Sequence, residues 1–292
     1  MRIKDSTRNP ACFKAAWKYF FDKGAYLLLI NVLPSLLIPF ALSPTGALKY
    51  LFSYKTIAPE NFFDMLVKVY ELPFEYWYIG IIGLVLFVFD IAIMLGVIDR
   101  HMRIGEFTVS PSRVKVRLNF NVLTALRFIV LAFVAFEILN LLSVSFYYLW
   151  WELCKNRVGW LVLSSITHVV LQLGMISIMA RVILWPPYCL HTGMKAKDAF
   201  KQATKSISGR VIPTMLHIVL AILPVEIAMI ITGALGAGVV AQFILDVIAY
   251  LYVVPFYLVL MYTLFYDVTG TERVDLERKE QSIWSKSKKR KK

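Results

Sequence analysis

Charge is scarce in this sequence. Only 17% of its 292 residues are Asp, Glu, Lys or Arg, while 59% are apolar. A soluble domain carries about 25% charged and about 45–50% apolar residues. Folded in water, such a chain would expose apolar patches well beyond the few hundred Å² that soluble monomers tolerate. Cysteine is scarce too. Cys12, Cys154 and Cys189 lie far apart and fit neither a disulfide framework nor a zinc spacing. Enzyme motifs are missing: there is no His-Glu-x-x-His, no Walker A loop and no Gly-x-Ser-x-Gly. No catalytic residue, metal site or cofactor is expected. His101, His191 and His217 stand alone and read as packed or interfacial imidazoles. The first 24 residues lack the short apolar core and small-residue cleavage site of a signal peptide.

Long apolar runs are what the chain has instead, and its mean hydropathy is +0.65. Six stretches are long enough to cross about 30 Å of hydrocarbon at about 1.5 Å per residue. They lie near 25–43, 78–98, 124–150, 159–184, 211–233 and 236–266. The expected fold is all-α: a polytopic membrane protein of six transmembrane helices, grouped as three hairpins, with interfacial amphipathic helices. Residues 1–24 are expected to form a cytoplasmic interfacial helix, 25–266 the six-helix domain and 267–292 a polybasic tail. Gly233-Ala234-Leu235-Gly236 suits a tight hairpin. Pro34, Pro39, Pro224 and Pro255 should disturb their helices and leave carbonyls for neighbours to satisfy.

Loop charge orients the spans. Segments 1–24, 99–126, 185–210 and 267–292 carry six, five, five and nine Lys/Arg against two, two, one and five acids. The alternate connections 44–77 and 151–158 carry three against four and two against one. The positive-inside rule then puts both termini in the cytoplasm. Trp77, Trp150, Trp151 and Trp160 mark the opposite interface. The net charge of +13 is therefore topological and no sign of nucleic-acid binding.

Two basic openings resemble each other. Cys12-Phe13-Lys14-Ala15-Ala16-Trp17-Lys18 aligns with Ala199-Phe200-Lys201-Gln202-Ala203-Thr204-Lys205, each followed by Gly and a Leu-Pro. A degenerate hairpin repeat would put Asp90 and Asp246 in equivalent places. Asn9 and Pro10 read as N-cap and first turn of the first opening. Lys14 and Lys18, Lys201 and Lys205, and the tail residues Lys288, Lys289 and Arg290 form the candidate headgroup surface. Membrane lipids, anionic ones among them, and a protein partner on the basic face are the expected partners. The amphipathic stripes have a second reading, packing against the bundle itself. Residues 113–122 alternate polar and apolar, which predicts an extended surface segment. Residues 60–72 predict a short amphipathic helix on the outer side.

Asp90, Glu137, His168, Glu226 and Asp246 fall at membrane depth. A charged acid at the bilayer centre costs about 3 kcal/mol on insertion scales. Four facing lipid would cost about 10 kcal/mol, as much as a whole domain's stability. They are therefore expected to face the bundle interior. Gln172 lies one turn from His168, and Gln242 and Tyr250 flank Asp246 one turn either way. Two readings stand: an acid-lined cavity for a cation, a proton or a polar head group, or hydrogen-bonded carboxyls that tie helices together. The first makes the chain permease-like or transport-associated, with Asp246 foremost and Asp90 and His168 as partners. The second makes it a scaffold recruiting a partner through its basic face.

Pro186-Pro187, then Met194-Lys195-Ala196-Lys197-Asp198-Ala199-Phe200, Ser208-Gly209-Arg210 and finally Phe265-Tyr266-Asp267 form a recurring pattern. In this pattern the chain resembles bacterial six-helix membrane proteins related to the membrane domain of some glycerophosphoryl diester phosphodiesterases. The resemblance covers about a third of the chain. It implies a six-helix fold in a bacterial cytoplasmic membrane, and without the catalytic domain it implies no phosphodiesterase activity.

Overall fold

The computed structural model of the chain describes residues 10–53, 61–105, 111–236 and 238–275. Among these residues there are eleven α-helices and no strand. Six of the helices are long and apolar enough to cross a membrane. They are α1 (Pro10–Leu37), α5 (Trp77–Ile104), α6 (Pro111–Cys154), α7 (Arg157–Val182), α10 (Val211–Ala234) and α11 (Val239–Thr269). Their length follows from their composition. In hydrocarbon every backbone N–H and C=O needs an internal partner, so an apolar run has no alternative to a helix.

The six long helices form a ring in chain order, and α1 closes it by packing along α11. α5 also reaches α11, so α1, α5 and α11 make a trio, and α6, α7 and α10 complete the ring. Glycine allows the tightest approach. A Cβ on Gly80 would lie 2.5 Å from the Phe40 carbonyl oxygen, and one on Gly83 would lie 2.7 Å from that of Leu37. Those obstacles are backbone, so the helices would have to part. Gly83→Ala is expected to cost about 1–3 kcal/mol, the usual range for overpacking. Thermal unfolding of the solubilised chain is the check, and a wild-type melt would contradict the close α1–α5 approach.

Short helices cover the two ends of the ring. At the end away from the described termini, α2 (Gly46–Phe52), α3 (Phe62–Val69) and α4 (Glu71–Glu75) form a cap on α6, α7 and α10. Asn61 caps α3 by accepting the Asp64 N–H at 2.8 Å, in agreement with the amphipathic helix expected near 60–72. A second apolar core, with Leu51, Met65, Tyr147 and Trp160, lies beneath this cap. At the other end α8 (Trp185–Thr192) and α9 (Ala196–Ile207) pack on each other and on the long helices.

Two expectations change. Residues 113–122 are not extended, because α6 runs unbroken from Pro111. An isolated alternating segment has no strand to pair with, and continuing the helix satisfies its backbone. The first opening is not a separate interfacial helix, because α1 continues through Gly24 without a break. Its apolar face is taken up by the bundle: Trp17 and Phe20 pack on Phe256 of α11, and Phe13 stacks on His217. The repeat partner behaves differently. There α9 is a separate helix, joined to α10 through a 3₁₀ turn at Ser208–Arg210. The hairpin between α10 and α11 forms as expected, with Gly236 at φ 72°. Asn9 and the tail residues Lys288, Lys289 and Arg290 lie outside the described residues.

Candidate functional site

The ring surrounds a partly open cavity of about 290 Å³, and all six long helices or their ends contribute to its wall. Phe87 of α5, Phe136 of α6, Met179 of α7, Val225 of α10 and Tyr257 of α11 typify its surface. Polar side chains are few: Thr45, Gln172, Glu226, Tyr250 and Tyr257. Gln172 Nε2 donates to Glu226 Oε1, joining α7 to α10 at the wall.

This corrects the expected acid-lined interior. Of the eight residues expected to line it, Gln172, Glu226 and Tyr250 do so, while Asp90, Glu137, His168, Gln242 and Asp246 do not. All four acids do turn away from lipid: none is exposed, and Asp90 and Asp246 are buried. The reason is the cost of a carboxylate without donors in an apolar medium. Asp246 and Glu137 are positioned by the hydroxyl donors they bond.

Asp246 meets the turn between α1 and α2. Ser43 Oγ donates to its Oδ2 at 2.6 Å. Thr45 donates to its Oδ1 twice, from N at 3.1 Å and from Oγ1 at 2.6 Å. One turn back, Gln242 Nε2 donates to Ser43 Oγ at 2.8 Å. One turn on, the Tyr250 hydroxyl donates to the Leu42 carbonyl at 2.8 Å. The stripe Gln242–Asp246–Tyr250 therefore acts as one unit. It fastens the entry to the cap onto α11.

Glu137 fastens the other side of the cap. Tyr70, between α3 and α4, donates its hydroxyl to Glu137 Oε2 at 2.6 Å. Burial first, and then the bond to Glu137, hold the Tyr70 phenol above its ordinary range, so it stays a donor. Within the cap, Lys49 pairs with Glu71 at 2.8 Å, and a Cβ on Gly46 would lie 2.4 Å from the Val69 carbonyl oxygen. His168 joins no acid. Its Nδ1 shares a 2.7 Å hydrogen bond with the Tyr147 hydroxyl, linking α7 to α6. Trp160 donates to the Tyr147 carbonyl at 2.9 Å in the same seam.

The basic end is separately ordered. Lys14 and Lys18 are exposed on α1, and Lys197, Lys201 and Lys205 are exposed on α9, whose Ala199, Ala203 and Ile207 are buried. Both stripes thus pack one face on the bundle and turn lysines outward. Arg210 pairs with Asp267. Asp99 accepts from or pairs with His191 at 2.9 Å, with Arg103 3.7 Å away.

Sequence reasoning missed Ser43, Thr45 and Tyr70, the partners that give Asp246 and Glu137 their role. Two hydroxyls flanking Pro44 before Gly46 were the available signal for a turn that donates to an acid. No family model matches the chain, and no curated protein or solved structure matches it.

Proposed function

We propose that this integral membrane protein holds an amphipathic, lipid-like molecule in its central chamber and serves its passage or presentation. The observation that supports this is a mostly apolar cavity ringed by the six long helices or their ends, with the hydrogen-bonded pair Gln172–Glu226 on its wall. A cavity of about 290 Å³ left empty would cost about 7 kcal/mol at about 24 cal/mol per Å³. Total stabilities are about 5–15 kcal/mol. Apolar cavities stay dry and take apolar guests instead of water. An acyl chain among these helices satisfies both conditions. Gln172 and Glu226 then supply the polar contact that orients it, as a few placed polar groups do in mostly apolar pockets.

The surrounding features suit that role. The windows of α6 and α7 are 22% and 17% buried, against 50% for α5, so the arc they form is the thinner wall toward lipid. Loop charge supports placing both termini in the cytoplasm, and the family resemblance supports a bacterial cytoplasmic membrane. A scaffold role through the basic face is the second reading, favoured by the exposed stripe Lys197, Lys201 and Lys205. Such a stripe also suits an anionic leaflet.

Native mass spectrometry of the gently solubilised chain tests the chamber. A lipid-sized mass is expected to survive delipidating washes, and Glu226→Ala with Gln172→Ala should reduce its retention at least about tenfold, the equivalent of about 1.4 kcal/mol. A chain that washes clean of lipid would leave the chamber without an occupant and favour the scaffold.

A further inference from the structure

Three buried polar oxygens on two facing helices have no hydrogen-bond partner among the described residues. They are Asn31 Oδ1 and Ser35 Oγ on α1 and Asp90 Oδ2 on α5. Their residues are 0%, 0% and 4% exposed. In a bilayer such groups are costly unless something meets them.

The helix register brings Asn31 and Asp90 to one level, with Ser35 one turn away. α1 and α5 run antiparallel, with Gly80 against Phe40 and Gly83 against Leu37 and Ile38. Asp90 is seven residues beyond Gly83 in sequence, about two turns on and back on the same face. An equal step back along α1 from Ile38 leads to Asn31, with Ser35 one turn from it on that face. α11 closes the third side of the trio. Asn31 Nδ2 donates to the Tyr250 carbonyl at 2.8 Å. Phe87, one turn before Asp90, packs edge-on to the Tyr250 ring with centroids 5.9 Å apart. Asn31 of α1 and Phe87 of α5 thus both meet Tyr250 of α11.

The chemistry of the set is one-sided. The Tyr250 carbonyl fixes the NH₂ end of Asn31, so the amide oxygen is the end left over. That oxygen and a carboxylate oxygen can only accept, and Ser35 supplies one hydroxyl. Pro255 lies inside α11 and has no N–H, which leaves the Leu251 carbonyl without its helical donor. Leu251 follows Tyr250 in sequence, at the level of Asn31. Oxygens of this kind, a carboxylate, an amide, a hydroxyl and a carbonyl at an interrupted helix, are the ligands of hard cations. A single carboxylate balances a single charge, whereas a divalent ion would leave a net charge buried at membrane depth.

We propose that Asp90, Asn31 and Ser35, with the Leu251 carbonyl, form a site for one dehydrated, sodium-sized monovalent cation between α1, α5 and α11. The site is separate from Asp246, whose two oxygens are taken by Ser43 and Thr45. It does not depend on what the central chamber holds. A bound cation would lock α1, α5 and α11 together where the ring closes.

Thermal unfolding of the purified full chain in NaCl, KCl and choline chloride, at matched ionic strength, tests the proposal. The melting temperature is expected to rise saturably with sodium and to stay flat in choline. Asp90→Asn keeps shape and removes the charge, and it should abolish the sodium-dependent rise. Ser35→Ala removes a hydroxyl with no partner among the described residues, so it should fold and show at least a fivefold higher half-saturating sodium concentration. Equal melts of the wild-type chain in sodium and choline would overturn the site. So would a sodium response retained in Asp90→Asn, or an unchanged half-saturation in Ser35→Ala should Asp90→Asn fail to fold. An equal rise in potassium would overturn the assignment to a sodium-sized ion. Sodium independence with a protonated Asp90 bonded to Asn31 Oδ1 is the alternative those results would establish.

Discussion

Asp246→Ala is expected to lower the melting temperature of the solubilised chain by about 10 °C, because three donors lose their acceptor at once. The Ser43 hydroxyl, the Thr45 hydroxyl and the Thr45 N–H all converge on this carboxylate. Asp246 itself is fully buried, so water does not replace it freely. Each buried donor left unsatisfied costs about 1–3 kcal/mol, and three together reach a large part of a protein's stability. Asp246→Asn should fall between wild type and alanine. Its oxygen can still accept from Thr45, but its NH₂ faces Ser43 Oγ, which already accepts from Gln242. The cap turn should loosen in step with the melt. Cysteine accessibility or limited proteolysis near residues 43–53 reports this directly. A wild-type melt for both variants, with an unchanged cap, would show that the turn is held by something other than Asp246.

Ala132→Trp is expected to displace the guest of the central chamber without unfolding the ring. Ala132 lines the cavity on α6, and a large apolar side chain there occupies volume that otherwise needs a lipid. Retained lipid, or a fluorescent fatty-acid probe in its place, should fall at least about tenfold, again about 1.4 kcal/mol. The melting temperature should hold or rise, since filling a cavity reverses its cost of about 24 cal/mol per Å³. Val134, two residues on, is 48% exposed on the outside of the same helix. Val134→Trp should leave binding alone and serves as the control. Full probe binding in Ala132→Trp would remove the chamber from the proposed function.

Much of this architecture was written in composition. Six apolar runs, Gly233 to Gly236 for the last hairpin and inward-facing acids all follow from the bilayer's demands on a single chain. The failures share a different cause. The alternation at 113–122 matches a strand by period, but period does not reveal whether a pairing strand exists. The apolar face of α1 from Phe13 to Phe20 suits either lipid or protein, and only the position of Phe256 on α11 decides between them. The acids were read as lining a cavity because desolvation dictates that they turn inward, not toward what. Ser43 and Thr45 are about 200 residues from Asp246 in sequence, and Tyr70 is 67 from Glu137. Partners at such separations leave no local pattern, so the apolar character of the chamber could not be read either. It is what remains once Asp246 and Glu137 bond the cap, with Glu226 alone of the four acids on its wall.

The seam between the first and last long helices also sets an order of assembly. Asn31 bonds to Tyr250 across 219 residues of sequence, and Trp17 and Phe20 rest on Phe256. During synthesis α1 leaves the ribosome first and must wait for α11, the last of the six, before its main packing surface exists. Loop closure over such a distance is slow compared with pairing of neighbouring helices, and domains grow from the N-terminus at about 5–20 residues per second. For that interval of about ten seconds or more the ring is a horseshoe with its interior open to the membrane. On the proposed function, that gap is where a bilayer chain would enter before insertion of α11 closes the seam.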